Sequence, residues 1–135
     1  MKRILLAVAV AFGLSSCAVY DAYFMAKFDP NEYQYITRIR THAELGNSVC
    51  DNAVEAQEQA KYLWMTAREF KNYAEDLPHN EKTIPLTESL NTLTEEFYKR
   101  YQSGDKVSSY YCKAKFTAIN ESSINIQKVI GAKPR

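Results

Sequence analysis

The sequence has few of the residues that interrupt helices, with only 4 glycines and 4 prolines in 135 residues. No proline occurs between Pro30 and Pro78, and most of that stretch consists of good helix formers. Hydrophobic residues make up 46% of the chain and charged residues 24%, which is typical of a globular protein rather than a disordered one. The composition therefore predicts an all-α fold.

Residues with catalytic or metal-binding chemistry are also scarce. The 2 histidines, His42 and His79, belong to no H-E-x-x-H pattern, and the sequence contains no C-x-x-C pair. A glycine-rich phosphate loop and a G-x-S-x-G motif are missing as well. We therefore predict no enzyme activity, catalytic residue, metal site, cofactor or small-molecule substrate, and we interpret His42 as a partly buried helix residue.

The charges nearly cancel, since the formal net charge is only +1, and this argues against binding to nucleic acid. Their distribution is uneven: residues 41–98 are mainly acidic and residues 99–135 mainly basic. One interpretation is that the two halves lie against each other and pair their charges. The other is that the acidic stretch is an exposed patch that binds a target.

The N-terminus has the order of features found in export signals. Lys2 and Arg3 precede an apolar run over residues 4–14, which is shorter than the ~20 residues that a membrane-spanning helix needs. The run ends in Leu14-Ser15-Ser16-Cys17, which resembles the lipobox of bacterial lipoprotein precursors. The resemblance implies cleavage before Cys17, a diacylglycerol on its sulfur and an acylated amino terminus.

The same resemblance implies the location of the protein. Residues 1–16 would be a signal peptide, and the lipid on Cys17 would anchor the chain in a membrane of the cell envelope. Ala18 follows the lipidated position, rather than the Asp that favours inner-membrane retention in enteric-type bacteria. We therefore expect the periplasmic face of the outer membrane.

Residues 17–28 are expected to form a short lipidated tether that is unusually aromatic. Tyr20, Tyr23, Phe24 and Phe28 recur at a spacing that would place them on one side of a helix. In one interpretation these rings are membrane-interface residues that lie among lipid headgroups. In the other they pack against the base of the domain.

The helical domain is expected over residues 29–135, with helices over about 30–76, 87–102 and 105–130. Asp29, Pro30 and Glu32 have the pattern of a capping box at a helix start, and Asp105 can cap the last helix. Gly104 marks a kink in the second arm, and Gly46 is a possible bend in the first. Mostly small residues at every seventh position indicate close helix packing: Ile39, Gly46, Ala53, Ala60, Ala67 and Ala74.

Two folds fit this pattern: a long antiparallel helical hairpin, or an elongated three-helix bundle, in either case with one disulfide. In the oxidising compartment that export implies, Cys50 and Cys112 are expected to pair. The two cysteines are almost equally far from a turn at residues 77–86, so they face each other in an antiparallel hairpin. With two arms of this length the hairpin would be a rod of ~65 Å.

A lipobox, a helical domain and a cysteine pair together resemble the pilotins of type II secretion, and less closely the phage outer-membrane spanins. Either resemblance implies a non-enzymatic lipoprotein that acts on another envelope protein as an adaptor or assembly factor. The alternatives are an inhibitor, immunity or phage exclusion lipoprotein that uses the acidic stretch, or a spanin-like lysis lipoprotein.

Overall fold

The computed structural model describes residues 25–135, and this part of the chain is all-α, as predicted. It contains four helices and no strand: α1 (Pro30–Ser48), α2 (Ala53–Asp76), α3 (Ile84–Gln102) and α4 (Ser109–Gly131). Each helix runs antiparallel to the one before it, and α4 packs against α1 to complete the bundle. None of these helices is long and apolar enough to cross a membrane.

Helix α1 begins where the sequence predicted. The Asp29 side chain accepts hydrogen bonds from the backbone N–H groups of Asn31 and Glu32, at 2.8 and 3.0 Å, and Pro30 occupies the first turn. The Tyr73 hydroxyl donates to the Asp29 carboxylate and so links the cap to α2. The predicted capping box is wrong in one respect, because the Glu32 side chain is buried and makes its hydrogen bonds elsewhere.

The prediction of one continuous helix over 30–76 is wrong, because the chain turns back at residues 49–52. Asn52 starts a new helix: its side-chain oxygen accepts from the N–H groups of Val54 and Glu55. The Asn52 amide also donates to the Glu55 carboxylate at 2.8 Å. This capping arrangement allows α2 to fold back antiparallel to α1.

Gly46 lies inside α1 and is not the bend. A Cβ atom at this position would lie 2.2 Å from Cε1 of Phe116 on α4. The glycine therefore allows the Phe116 ring to lie directly against the α1 backbone, a close approach that no other residue would permit.

The second arm breaks completely near Gly104 instead of kinking there. Helix α3 ends at Gln102, Gly104 has a φ of 79°, and α4 begins only at Ser109. Ser108 caps α4 by accepting from the Tyr111 N–H at 3.1 Å. Asp105 does not cap this helix, as its carboxylate accepts from Arg100 at 2.9 Å.

The predicted antiparallel pairing is nevertheless present within each half of the bundle. Cys50 faces Cys112 between α1 and α4, and Trp64 stacks on Tyr98 between α2 and α3. Within each pair the two residues are almost equally far along the chain from the α2–α3 connection, as a hairpin requires. Because both arms fold back at the same level, the ~65 Å rod is wrong and the chain forms a four-helix bundle of about half that length.

The core lies along the central axis of the bundle and combines small residues with aromatic rings. Ala60, Ala67 and Ala74 of the predicted small-residue seam are fully buried, whereas Ala53 is exposed at the turn. Phe97 and Phe116 meet edge to face, with ring centroids 4.9 Å apart. The other large buried side chains of this core are Ile36, Ile39, Leu63, Phe70, Leu90, Ile119 and Ile130.

Candidate functional site

The bundle has two different ends. The end that we call the base holds the start of α1, the connection at residues 77–83 and the C-terminus at residues 132–135. The opposite end, the distal end, holds the two turns at residues 49–52 and 103–108. Chain entry from the N-terminal segment is therefore at the base.

A buried polar cluster lies at the base, formed by Glu32, Asn80 and Lys133, which are 0%, 2% and 6% exposed. The Lys133 ammonium donates to one Glu32 carboxylate oxygen and, at 2.6 Å, to the Asn80 side-chain carbonyl. The Asn80 amide donates to the other Glu32 oxygen at 2.7 Å and to the backbone carbonyl of Ala74 at 2.9 Å. Each charge is therefore paired and hydrogen-bonded, as buried charges require.

The cluster connects three parts of the chain that are distant in sequence. Glu32 belongs to the first turn of α1, Asn80 to the α2–α3 connection and Lys133 to the C-terminal segment. Two backbone hydrogen bonds continue this connection outward: Phe28 N–H to the Pro134 carbonyl at 2.8 Å, and Ala26 N–H to the His79 carbonyl at 2.9 Å. The entering segment is thereby fixed to both the C-terminus and the connection.

Of the four tether aromatics, only Phe28 lies among the described residues, and it packs against the domain. Its ring centroid lies 5.7 Å from that of Tyr33, and the Arg135 guanidinium lies 5.4 Å from the ring. Phe28 is also partly buried against the core. The predicted lipidation site Cys17, together with Tyr20, Tyr23 and Phe24, lies outside the described residues.

A small cavity of about 140 Å³ opens beside the polar cluster. Met25 and Ala26 form one wall, and Asn80, Thr83 and Lys133 form the other. The Thr83 hydroxyl is buried and has no hydrogen-bond partner within the described part of the chain. The cavity is large enough for a few water molecules.

At the distal end, Cys50 and Cys112 form the predicted disulfide, with an S–S distance of 2.04 Å and a Cα–Cα distance of 5.7 Å. The bond joins the turn that follows α1 to the first turn of α4, and both cysteines are buried. The two cysteines are separated by 62 residues in the chain, a segment that includes α2 and α3. Because both sulfur atoms are in the disulfide, neither cysteine has a free thiol that could act as a nucleophile.

An acidic and a basic residue from the two halves of the sequence meet beside the disulfide. The Ser109 hydroxyl donates to Asp51 at 2.6 Å, and the Lys113 ammonium lies 3.7 Å from the same carboxylate. The Ser109 hydrogen bond and the Lys113 charge lower the pKa of Asp51. This contact agrees with the interpretation that the two halves pair some of their charges.

The three most exposed large hydrophobic residues of the described bundle lie near the distal end. They are Tyr110 in the first turn of α4, Val54 in the first turn of α2 and Leu45 in the last turn of α1, at 85%, 68% and 51% exposure. We call them the distal apolar residues. A groove of about 590 Å³ runs beside Val54, and its walls include Tyr101 and Val107.

His42 is a half-buried helix residue, as interpreted from the sequence. Its Nδ1 atom lies 3.0 Å from Oε1 of Gln59, and its ring centroid lies 4.0 Å from that of Tyr62. Within residues 25–135, no three His, Cys, Asp or Glu side chains lie close enough together to hold a metal ion.

The comparisons with known proteins add no relative: no family model, no curated protein and no solved structure matches this chain.

The base cluster was not predicted from the sequence. Glu32 was assigned to a cap, and Asn80 and Lys133 carry no local pattern that distinguishes them from exposed polar residues.

Proposed function

We propose that this protein is a membrane-anchored helical lipoprotein of the bacterial envelope and a non-enzymatic adaptor or assembly factor for another envelope protein. Its lipid would be attached at Cys17, and its location would be the periplasmic face of the outer membrane. The lipobox-like sequence Leu14-Ser15-Ser16-Cys17 is the observation that supports the anchor.

The polarity of the bundle supports the adaptor role. The chain enters at the base, where Phe28 bonds to Pro134, so an anchor at Cys17 would hold the base towards the membrane. The distal end would then face away from the membrane. The distal apolar residues, Leu45, Val54 and Tyr110, are the single observation that carries the proposal, because exposed apolar side chains at the free end suit a protein partner.

Site-specific photo-cross-linking in intact cells tests this proposal. Benzoylphenylalanine placed at Tyr110, in the first turn of α4, should form one defined adduct with an envelope protein. The matched control is Val129, which is exposed in the last turn of the same helix and lies at the base. An adduct of equal yield at Val129, or none at Tyr110, would contradict the proposed role of the distal end.

A specific observation favours one alternative, an inhibitor or immunity lipoprotein. Glu58, Glu69 and Asp76 on α2 are exposed, and none of them forms an ion pair within the described bundle. An unpaired acidic helix surface suits a basic target. The charge reversals Glu58→Lys and Glu69→Lys should then abolish protection against that target while leaving the Tyr110 adduct unchanged.

The spanin-like alternative remains a prediction that depends on shape. A lysis rod needs an extended chain, whereas residues 25–135 fold into a bundle about half as long as the predicted rod. This alternative therefore requires a state in which both arms are straight.

A further inference from the structure

The two turns at the distal end lie side by side and divide the bundle into two helix pairs. Residues 49–52 connect α1 to α2, and residues 103–108 connect α3 to α4. The Ser109 hydroxyl reaches Asp51 at 2.6 Å across the gap between the two turns. The bundle is therefore a hairpin folded in half, with both folds at one level.

Both helix pairs have the same register. In the α1/α4 pair, Cys50 and Cys112 are almost equally far along the chain from the α2–α3 connection, and in the α2/α3 pair Trp64 and Tyr98 are also almost equally far from it. If both turns straightened into helix, α1 would continue into α2 and α4 would continue into α3. Neither pair would have to slide along its partner.

The sequence is compatible with a straight first arm. The seventh-residue spacing of Gly46, Ala53 and Ala60 continues through the turn without a change of phase. Ala53 is exposed in the folded bundle. Straightening would place it on one continuous seam with the buried residues Gly46 and Ala60.

The contacts that straightening would break are those between α1 and α2 and those between α3 and α4. The first set includes His42 against Tyr62, and the second includes Phe97 against Phe116. The disulfide does not oppose the change, because Cys50, in the turn at residues 49–52, and Cys112, on α4, also occupy facing positions in the straight hairpin.

We propose that the bundle opens at both turns and that two opened chains close on each other as an exchanged dimer. The α1/α4 pair of each chain packs on the α2/α3 pair of its partner, so every contact broken by opening is made again between the chains. The dimer is a rod of ~70 Å, with a base and one entering N-terminal segment at each end. This arrangement does not depend on the proposed adaptor function.

Cross-linking between differently labelled chains tests the exchange directly. His42→Cys is introduced in one full-length chain and Tyr62→Cys in another, both carrying Cys17→Ser and the native disulfide. The two chains are unfolded together with the disulfide intact, refolded at high concentration and treated with a short bismaleimide. In an exchanged dimer residue 42 of one chain meets residue 62 of the other, so a covalent heterodimer is expected.

A matched pair gives the control. Asn47 donates to Thr117 at 2.9 Å within the α1/α4 pair, which stays within one chain during the exchange. Chains with Asn47→Cys and Thr117→Cys should therefore give no covalent heterodimer, while the double variant in one chain should cross-link internally. The proposal would be overturned if the mixture of Asn47→Cys and Thr117→Cys chains gave as much covalent heterodimer as the mixture of His42→Cys and Tyr62→Cys chains. A dimer in which residues 42 and 62 of different chains do not cross-link would also overturn it.

Hinge variants that leave the core intact give a second test. Asn52→Ala removes the cap of α2, and Gly104→Ala disfavours the φ of 79° at the other turn, so both changes weaken the folded turns. The double variant should raise the dimer association constant at least about tenfold in sedimentation equilibrium. An unchanged constant, or a monomer at every concentration, would contradict the exchange.

Discussion

Lys133, close to the end of the chain, is buried against Glu32 in the first turn of α1, and the two residues are ion-paired within the base. Asn80 forms a hydrogen bond with each of the two side chains and so fixes their relative positions. A C-terminus that carries a buried, paired charge is part of the fold, in contrast to the frayed end of most domains.

The first prediction concerns this pair. Lys133→Ala should lower the free energy of unfolding by about 3–5 kcal/mol, because it leaves the Glu32 carboxylate buried without a counter-charge. The measurement is urea denaturation followed by circular dichroism. Lys99→Ala, which removes an exposed pair with Glu95, is the control and should change the value by less than about 1 kcal/mol.

The double variant Glu32→Gln with Lys133→Met separates the charge effect from packing. Because it removes both charges, it should recover much of the stability that Lys133→Ala loses. If the double variant is as unstable as the single one, the buried charge is not the cause.

The second prediction concerns Gly46. Gly46→Ala places a Cβ 2.2 Å from the Phe116 ring, so α1 and α4 must separate and the free energy of unfolding should fall by about 1–3 kcal/mol. Thermal unfolding measures the loss. Combining Gly46→Ala with Phe116→Leu should be less harmful than the sum of the two single changes, and strict additivity would contradict the close contact.

Much of the fold could be predicted because the signals are local or depend on simple spacing. Asp29 and Pro30 marked the start of α1, and the equal distances of Cys50 and Cys112 from the α2–α3 connection gave the register. The turn at residues 49–52 was missed because the seventh-residue spacing continues through it. Asn52 and Glu55 carried the missing signal, a capping pattern inside an apparently continuous helix.

Other features could not be read from one sequence. A glycine such as Gly46 has the same local pattern whether it bends a helix or admits a ring from another helix. The base cluster joins Glu32, Asn80 and Lys133 across long sequence separations, and only the tertiary fold brings them together. Polar residues of this kind are usually exposed, so their burial has no sequence signature.

The third prediction concerns pH. The pKa of Asp51 is lowered by the Ser109 hydrogen bond and the Lys113 charge, so its ionised form is favoured in the folded state. Its small contribution to stability is present above the ordinary carboxyl pKa and is lost as the pH falls through the lowered value. Carboxyl NMR titration should give Asp51 a pKa below that of an ordinary aspartate, and Ser109→Ala should raise the Asp51 pKa. An unchanged pKa in that variant would contradict the assigned cause.

The fourth prediction concerns the disulfide. Replacing both Cys50 and Cys112 with Ala should lower the melting temperature by several degrees while the far-UV helix signal at low temperature survives. Chain-entropy estimates for a loop of this length give ~4 kcal/mol, a large share of the ~5–15 kcal/mol typical of a domain. Reduction of the unmodified protein should give the same shift, and a melting temperature that does not respond to either treatment would be inconsistent with a stabilising bond.

We propose a lipid-anchored bundle that is closed by one disulfide. The most direct test of this proposal is the intact mass of the unreduced protein after extraction from the envelope. We predict a chain that begins at Cys17, carries the mass of a diacylglycerol and an amino-terminal acyl group, and has two hydrogens fewer than its reduced form. Cys17→Ser should abolish the lipid mass and processing. A chain that retains residues 1–16, or an unlipidated chain with Cys50 and Cys112 as free thiols, would contradict the claim.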